Sequence, residues 1–326
     1  MKERNLGSSG ITVSEMGLGC WAIGGPFWDG ETPLGWGEVN DAESLRAIQR
    51  AMDLGVNFFD TADVYGAGHS EKVLARAFAG RRDQVVIATK FGNTFDEDTK
   101  QVTGPSASPD YIRKACEASL RRLETDYIDL YQFHWNDYDA ENGAEVRDVL
   151  EDLVAQGKIR NYGWSTDFTD RARVFAEGSH CVAIQHQMNV LDDAGSMISV
   201  CEALNLASIN RGPLAMGLLT GKYDANTDLA ANDVRGKKSP EWMSYFKDGK
   251  PDPDWLVRRD AVREILTSKG RTVAQGALAW LWARSKRTIP IPGFRTVAQT
   301  EENCKAMEYG PLGASAMKEI DALLGR

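Results

Sequence analysis

Short apolar runs alternate with longer amphipathic segments along most of the chain. The apolar runs predict eight β-strands, over residues 14–20, 56–60, 85–90, 127–134, 159–165, 181–187, 206–210 and 288–291. The segments between them have helical spacing and predict helices over 42–54, 70–78, 108–124, 144–156, 169–177, 195–204, 253–269 and 273–285, another from Thr296, and a last one over 313–324. Strands that alternate with helices favour a single parallel (β/α)8 TIM barrel over residues 1–326.

Four segments lie outside this alternation. Residues 1–14 are expected to form a lid or hairpin over one end of the barrel, and residues 22–40 a long loop before a helix that Asp41 would cap. A polar loop follows the third strand. The insertion 211–252 is long enough to predict a functional loop.

Composition and charge narrow the classes of function. A length of 326 residues with 42% hydrophobic and 26% charged residues is normal for one α/β barrel. The net charge of −9 argues against a nucleic-acid partner or an anionic membrane surface. The five cysteines are odd in number and far apart, which favours buried thiols in a reducing compartment. With no apolar leader or long apolar run, the expected location is the cytoplasm, and a homo-oligomer stays open.

Four polar residues stand at or just beyond the ends of three successive predicted strands: Asp60 and Tyr65, then Lys90, then His134. Catalytic groups of a barrel sit at the C-terminal ends of its strands, so these four are the candidate catalytic residues. The prediction depends on all four residues together. Alone, Asp60 is equally typical of a helix cap, Lys90 of a surface lysine, and Tyr65 and His134 of packing or structural residues.

These residue types suit acid–base chemistry on a carbonyl. A tyrosine has an unperturbed pKa near ~10. A lysine ~4 Å away favours the phenolate by about 4 kcal/mol, or roughly three pKa units. Lys90 is expected to do this to Tyr65, while Asp60 keeps Lys90 charged and oriented. His134 is expected to hold the substrate oxygen against Tyr65 as a hydride reaches the carbon.

Three segments are candidates for binding a dinucleotide. Residues 17–22 match a G-x-G-x-x-[GA] pattern, but a long loop follows them where a Rossmann fold needs a helix. Residues 211–222 follow the seventh strand, and 292–295 follow the eighth and open a helix, whose N-terminus favours anions. Arg295 is placed to pair with a 2′-phosphate.

Several segments together resemble the aldo-keto reductase family, in particular its bacterial, NADPH-dependent members. The matching segments are 55–66, 88–90, 132–135, 157–160, 163–165, 185–189, 217–222, 291–293 and 302–303. The resemblance covers the chain from about residue 5 and implies a (β/α)8 barrel that reduces a carbonyl with NADPH, with Tyr65 as the acid and with Lys90, Asp60 and His134 in support.

The resemblance also implies a set of cofactor-binding residues. Ser165, Thr166 and Gln185 would hold the carboxamide; Gly212, Leu214, Gly217 and Leu218 would line the pyrophosphate; Arg295, Gln299, Glu302 and Asn303 would surround the adenosine end. Cys20, Trp21, Asp60, Arg211, Lys222 and Gly293 complete the set. The sequence departs from the family pattern at Arg211, where many members stack an aromatic ring on nicotinamide, at Met188 and at Phe294.

The substrate is predicted from aromatic residues near the expected mouth of the barrel. Trp21, Trp28, Tyr65, His134 and Trp135 form the predicted substrate-binding set, with Phe27, Trp36, Trp242, Tyr245 and Trp255 in nearby loops. Aromatic faces suit an apolar aldehyde or the C–H face of a sugar. Polar neighbours such as Asp29, Glu31 and Asn136 favour a sugar-derived or other polyhydroxylated carbonyl, and hence a role in carbohydrate metabolism. The tryptophans alternatively only pack the loops.

Two other classes of function stay open at this point. A metal-dependent barrel isomerase or hydrolase would use Asp60, Asp63, His134 and His186, although the usual clusters of metal ligands are missing from the sequence and no metal is predicted. A redox-sensing binding subunit would keep the barrel without turnover. The exact substrate and the physiological direction of the reaction do not follow from the sequence.

Overall fold

The computed structural model describes residues 2–326, and its centre is a closed barrel of eight parallel strands. We number them β1 Leu18–Gly19, β2 Phe58–Asp60, β3 Val86–Phe91, β4 Ile128–Phe133, β5 Ile159–Ser165, β6 Cys181–Gln187, β7 Ala207–Arg211 and β8 Thr288–Pro290. Each strand pairs with the next in the chain. A parallel bridge between Gly19 and Gly293 joins β1 to the end of β8, so no edge stays open.

Ten α-helices within residues 2–326 surround the barrel or follow it. They are α1 Asp41–Asp53, α2 His69–Phe78, α3 Pro109–Leu123, α4 Ala140–Ala155, α5 Thr169–Ala176, α6 Gly195–Ala203, α7 Pro253–Thr267, α8 Val273–Arg284, α9 Val297–Tyr309 and α10 Ala314–Leu324. The predicted barrel and its order of elements are confirmed. Within residues 2–326, the structure has no helix that is both long and apolar enough to cross a membrane.

The interior of the barrel is apolar at its N-terminal end and polar at its C-terminal end. Phe58, Val86 and Leu130 fill the lower interior, and the N-terminal hairpin of Glu3–Asn5 and Thr12–Ser14 closes it from below. Leu6 and Val13 of this hairpin join the same cluster, which confirms the expected cover over one end. The next inward-facing residues along the strands are polar, and they build the candidate site.

Several boundaries differ from the sequence prediction. Only Leu18–Gly19 of the predicted strand 14–20 belongs to the barrel, because residues up to Ser14 pair within the N-terminal hairpin. Asn40, not Asp41, caps α1, since its side chain accepts a hydrogen bond from the N–H of Glu43. Helix α4 begins four residues earlier than predicted, at Ala140, because Asp139 caps it there.

Two predicted loops contain a small sheet. Trp28–Asp29, Thr32–Pro33, Asn93–Asp96 and Gln101–Pro105 form four strands beside the Tyr65 loop. The insertion 211–252 likewise contains a short hairpin, Phe246–Lys247 and Lys250–Pro251. All five cysteines are buried free thiols, as predicted.

Candidate active site

A buried ion pair between Asp60 and Lys90 lies at the C-terminal end of the barrel interior. The Nζ of Lys90 is 2.5 Å from Oδ1 of Asp60 and donates to the carbonyl oxygen of Thr61 at 2.7 Å. Gln132 and Gln185 donate to the other carboxylate oxygen at 3.0 and 2.7 Å. Burial lowers the pKa of the Lys90 ammonium, but the charge of Asp60 and the nearby Tyr65 outweigh it and leave the pKa raised. Lys90 is therefore a fixed cation.

The Tyr65 hydroxyl is the next polar group above this pair, 3.4 Å from the Nζ of Lys90. Burial raises the pKa of Tyr65, and the opposing effect of Lys90 is smaller, so the net shift is upward. This is the reverse of the direction that the sequence predicts, because the lysine charge is evident from the sequence, whereas the loss of solvent around the tyrosine hydroxyl depends on how the loops pack. The phenol is consequently neutral at physiological pH and holds a proton that it can donate.

A tight turn sets the direction of the Tyr65 side chain. Gly66, Ala67 and Gly68 all have positive φ values, of +63°, +52° and +87°. A Cβ on Gly66 would lie 1.8 Å from the carbonyl oxygen of Gly24, so no side chain fits there. The Tyr65-Gly66 pair in the sequence thus reflects a close approach of two backbones.

His134 stands directly after β4, and its ring meets Tyr65 edge-on with centroids 5.9 Å apart. Burial lowers the pKa of the imidazole well below its usual range, and the charges of Lys90 and Arg211 lower it further. Its Nδ1 is buried and has no hydrogen-bond partner. A neutral imidazole still carries one N–H, which suits donation of a hydrogen bond to a substrate oxygen.

Arg211 ends β7 on the opposite side of the mouth. Its guanidinium binds the carboxylate of Asp167 and donates to Oε1 of Gln187 at 3.2 Å. The positive charge of Arg211 lowers the pKa values of both Tyr65 and His134, as expected for a guanidinium that lies near both side chains. A tethered guanidinium therefore stands at the position where many members of the family that the sequence resembles carry an aromatic ring.

The three residues predicted to hold a carboxamide lie close together in the upper barrel. Ser165 and Gln185 are register partners on β5 and β6, and Thr166 follows Ser165. All three are buried. The amide nitrogen of Gln185 is already used on Asp60 and on Oε1 of Gln132, at 3.2 Å. The hydroxyl of Thr166 donates to the carbonyl oxygen of Asn136 at 2.6 Å.

The residues predicted to line a pyrophosphate form a kinked turn after β7. Gly212 and Gly217 have φ values of +60° and +95°, and Leu214 is buried while Leu218 is fully buried. Lys222 is exposed, with its ammonium over the ring of Tyr223. This turn places bare backbone at the rim of the barrel.

Arg235, which was not predicted from the sequence, holds the insertion across the rim. It pairs with Asp233 at 2.7 Å, donates to the carbonyl oxygen of Met216 at 3.0 Å and lies 4.4 Å from the ring centroid of Trp36. The N–H of Val234 donates to the carbonyl oxygen of Gly35 at 2.7 Å. The insertion therefore reaches from β7 to the loop after β1. An arginine in a charged, glycine-containing loop has no sequence signal that marks it as buried.

The residues predicted around an adenosine group follow β8. Gly293 is exposed, and Asn303 donates to its carbonyl oxygen at 3.2 Å. Gln299 accepts a hydrogen bond from the N–H of Arg295 at 2.7 Å, and Glu302 is partly exposed. The Arg295 guanidinium donates to the carbonyl oxygens of Trp36 and Glu38. Phe294 is buried in the core.

The predicted aromatic mouth is present only in part. Trp21 stacks on Tyr65 at 5.8 Å, and Trp242, which is 58% exposed, lies 6.2 Å beyond Trp21. Trp28, in the small sheet, and Trp135, in the loop after β4, are both partly exposed. Tyr245 is buried against Trp255 of α7, so these two residues pack the insertion against that helix. The thiol of Cys20 is fully buried beneath the site.

The four residues of the metal-dependent alternative do not converge. Asp60 forms an ion pair with Lys90, whereas Nε2 of His186 lies 2.8 Å from the hydroxyl oxygen of Ser208. Burial lowers the pKa of His186 to about 4. Across residues 2–326 no group of three or more His, Cys, Asp or Glu side chains is arranged to hold a metal ion.

Comparison with known proteins gives consistent matches along the chain. The model of the aldo/keto reductase family matches residues 15–324. The oxidoreductase YqkF of Bacillus subtilis is 31% identical over 99% of this chain and 96% of its own. The aldo-keto reductase yakc [NADP(+)] of Schizosaccharomyces pombe is 30% identical over 97% of this chain and 89% of its own. The structure of the glycerol dehydrogenase AKR11B4 from Gluconobacter oxydans superposes with a TM-score of 0.83 at 30% identity, covering 99% and 95% of the two chains. The chain, with its closed barrel and polar upper end, belongs to the aldo/keto reductase family.

Proposed function

We propose that this protein reduces an aldehyde or ketone to the alcohol with NADPH, and that Tyr65 donates the proton. The observation that carries the proposal is the row of Asp60, Lys90 and Tyr65, in which a buried, fixed cation faces a partly buried, neutral phenol. A carbonyl oxygen that gains negative charge near this row meets an acid and a positive charge together.

Each residue has a distinct part in this proposal. Lys90 stabilises the phenolate that Tyr65 becomes when it gives up its proton. Asp60 keeps Lys90 charged, and Gln132 keeps the carboxylate of Asp60 in place. His134 orients the carbonyl oxygen through a ring nitrogen. Because its imidazole is neutral, it does not act as the acid in place of Tyr65.

The residues at the rim fit NADPH. The turn after β7 exposes backbone at Gly212 and Gly217, and the start of α9 after Gly293 favours an anion. The relative from Schizosaccharomyces pombe carries NADP(+) in its name, which supports the phosphorylated cofactor. NADPH, when bound, supplies the hydride. Arg295 would then exchange its carbonyl partners for the 2′-phosphate, and Arg211 would lie by the nicotinamide.

For the substrate we propose a polyhydroxylated carbonyl, such as one derived from a sugar. Trp21 and the exposed Trp242 offer aromatic faces next to Tyr65, and such faces suit the C–H side of a sugar. The structural relative from Gluconobacter oxydans is called a glycerol dehydrogenase, which supports a polyol as the corresponding alcohol. Trp242→Ala should then raise the KM for sugar-derived carbonyls several-fold more than that for a short aldehyde.

The test is a titration of the purified protein with NADPH and with NADH, followed by tryptophan fluorescence. Tight binding of NADPH, then turnover with short aldehydes and oxidised sugars, is the expected result. Binding of NADPH without turnover on any carbonyl would favour the redox-sensing subunit. Absence of binding by either cofactor would refute the proposal.

A further inference from the structure

Behind the Tyr65 turn, Ser70 ties together the ends of two barrel strands. Its hydroxyl donates to the carbonyl oxygen of Cys20, just after β1, at 2.9 Å. The same hydroxyl accepts a hydrogen bond from Thr61, just after β2, at 2.8 Å. The backbone N–H of Ser70 donates to the carbonyl oxygen of Tyr65 at 3.2 Å. Ser70 thus connects the ends of β1 and β2 through its hydroxyl and joins them to the Tyr65 turn through its backbone N–H.

The next residue, Glu71, makes the same kind of connection to β3. Its carboxylate is fully buried and accepts a hydrogen bond from the Thr89 hydroxyl at 2.6 Å and from Nε of Arg122 at 2.7 Å. Thr89 directly precedes Lys90 in β3. Arg122 belongs to α3 and lies against the Tyr65 turn, since a Cβ on Gly68 would come within 2.6 Å of its side chain.

We propose that Ser70, Glu71 and Thr89 are positioning residues for the Tyr65–Lys90 pair, an inference that rests on the proposed function of Tyr65. Together, as the α2 clamp, they fix the Tyr65 turn against β3 and thereby set the distance between the hydroxyl and the ammonium. They act through Tyr65 and Lys90 and do not contact the reacting atoms.

The distance between hydroxyl and ammonium is sensitive to small movements. At 3.4 Å the Tyr65–Lys90 contact is already near the limit of a hydrogen bond. A shift of about 1 Å would break it and weaken the attraction between the charges by about a quarter. Backbone hydrogen bonds within the turn, such as the one from the N–H of Gly68 to the carbonyl oxygen of Asp63 at 2.7 Å, fix its local shape. Ala67 has a φ of +52°, which side chains disfavour, so the turn stores some strain. The side-chain hydrogen bonds of Ser70, Glu71 and Thr89 add the links that hold this turn and α2 against the ends of the strands.

The test compares Thr89→Val with Thr89→Ser in the full chain. Valine keeps the shape of threonine and removes its hydroxyl, whereas serine keeps the hydroxyl. We expect Thr89→Val to lower kcat by about 10- to 100-fold with KM and NADPH affinity nearly unchanged, and Thr89→Ser to stay close to wild type. The alkaline limb of the pH profile should move upward in Thr89→Val, because a looser contact with Lys90 raises the pKa of Tyr65.

A matched control separates positioning from stability. Thr288→Val removes another buried strand hydroxyl, which lies at the start of β8 and shares its proton between the carbonyl oxygens of Leu281 and Ser285. It should lower the midpoint of thermal unfolding and leave kcat unchanged. Ser70→Ala removes a different part of the α2 clamp, the hydroxyl contacts with Thr61 and with the carbonyl oxygen of Cys20. It should lower kcat as Thr89→Val does.

The outcomes distinguish the clamp from the proposed function. Wild-type kcat in Thr89→Val and Ser70→Ala, while Tyr65→Phe is inactive, would overturn the clamp alone. Equal loss of kcat and of NADPH affinity would also overturn it, because the residues would then support the whole barrel end. Full turnover by Tyr65→Phe would overturn the proposed function itself.

Discussion

Replacing Lys90 by methionine should lower kcat for carbonyl reduction by at least about 100-fold. The Nζ of Lys90 lies 3.4 Å from the Tyr65 oxygen. At an effective dielectric of about 20, a unit charge at that distance stabilises the phenolate by about 5 kcal/mol, or more than three pKa units. Burial already raises the pKa of Tyr65, so loss of the cation leaves a much weaker acid.

The same substitution has a measurable effect on stability. It leaves the buried carboxylate of Asp60 without its ion partner, which typically costs about 3–5 kcal/mol of unfolding free energy. Gln132 and Gln185 still donate to Asp60, so we expect a loss at the lower end of that range. Urea unfolding of the variant and the wild type measures it. Lys90→Arg, which keeps the charge, should recover part of both losses.

The assay is steady-state oxidation of NADPH in the presence of a saturating carbonyl substrate. NADPH binding, followed by tryptophan fluorescence, shows whether each variant is folded and loaded. If Lys90→Met binds NADPH normally and keeps kcat within about three-fold of wild type, Lys90 does not act on the proton donor and the electrostatic reasoning is refuted.

Arg295→Ala should weaken NADPH binding far more than NADH binding in parallel titrations, because a guanidinium pairs with the 2′-phosphate; equal losses would remove Arg295 from that role. His134 has a pKa well below its usual range in the folded protein. Below about pH 6.5 the unfolded chain therefore binds a proton that the folded protein does not, and the free energy of unfolding decreases as the pH is lowered. Urea unfolding at several pH values should show a smaller acid-side loss in His134→Gln; identical curves would contradict this. Gly66→Ala should destabilise the protein by at least about 1–2 kcal/mol and lower kcat, because its Cβ would lie 1.8 Å from the Gly24 oxygen; wild-type stability and activity would show that the turn adapts.

The alternation of apolar runs and amphipathic segments was sufficient to predict the barrel, because buried parallel strands and helices both leave strong patterns. The strands Asn93–Asp96 and Gln101–Pro105 left no such pattern, since both are polar and half-exposed. Asn40 and Asp41 are both good helix caps, and propensity alone does not choose between them.

The catalytic candidates of the site were also predictable from the sequence, whereas their electrostatics and supporting contacts were not. Asp60, Tyr65, Lys90 and His134 come together as expected, because strand ends of a barrel share one rim. The direction of the Tyr65 pKa was wrong, since it depends on burial, which emerges only when the loops pack over the ring. Arg235 and the α2 clamp were missed for the same reason: their importance comes from contacts between segments that are distant in the sequence.

The most direct measurement is single-turnover reduction of a carbonyl by Tyr65→Phe preloaded with NADPH. This substitution removes one hydroxyl and leaves the stacking on Trp21 in place. If Tyr65 donates the proton, the variant binds NADPH as the wild type does and reduces the carbonyl at less than about 1% of the wild-type rate. A rate equal to that of the wild type would contradict the assignment of Tyr65 as the proton donor.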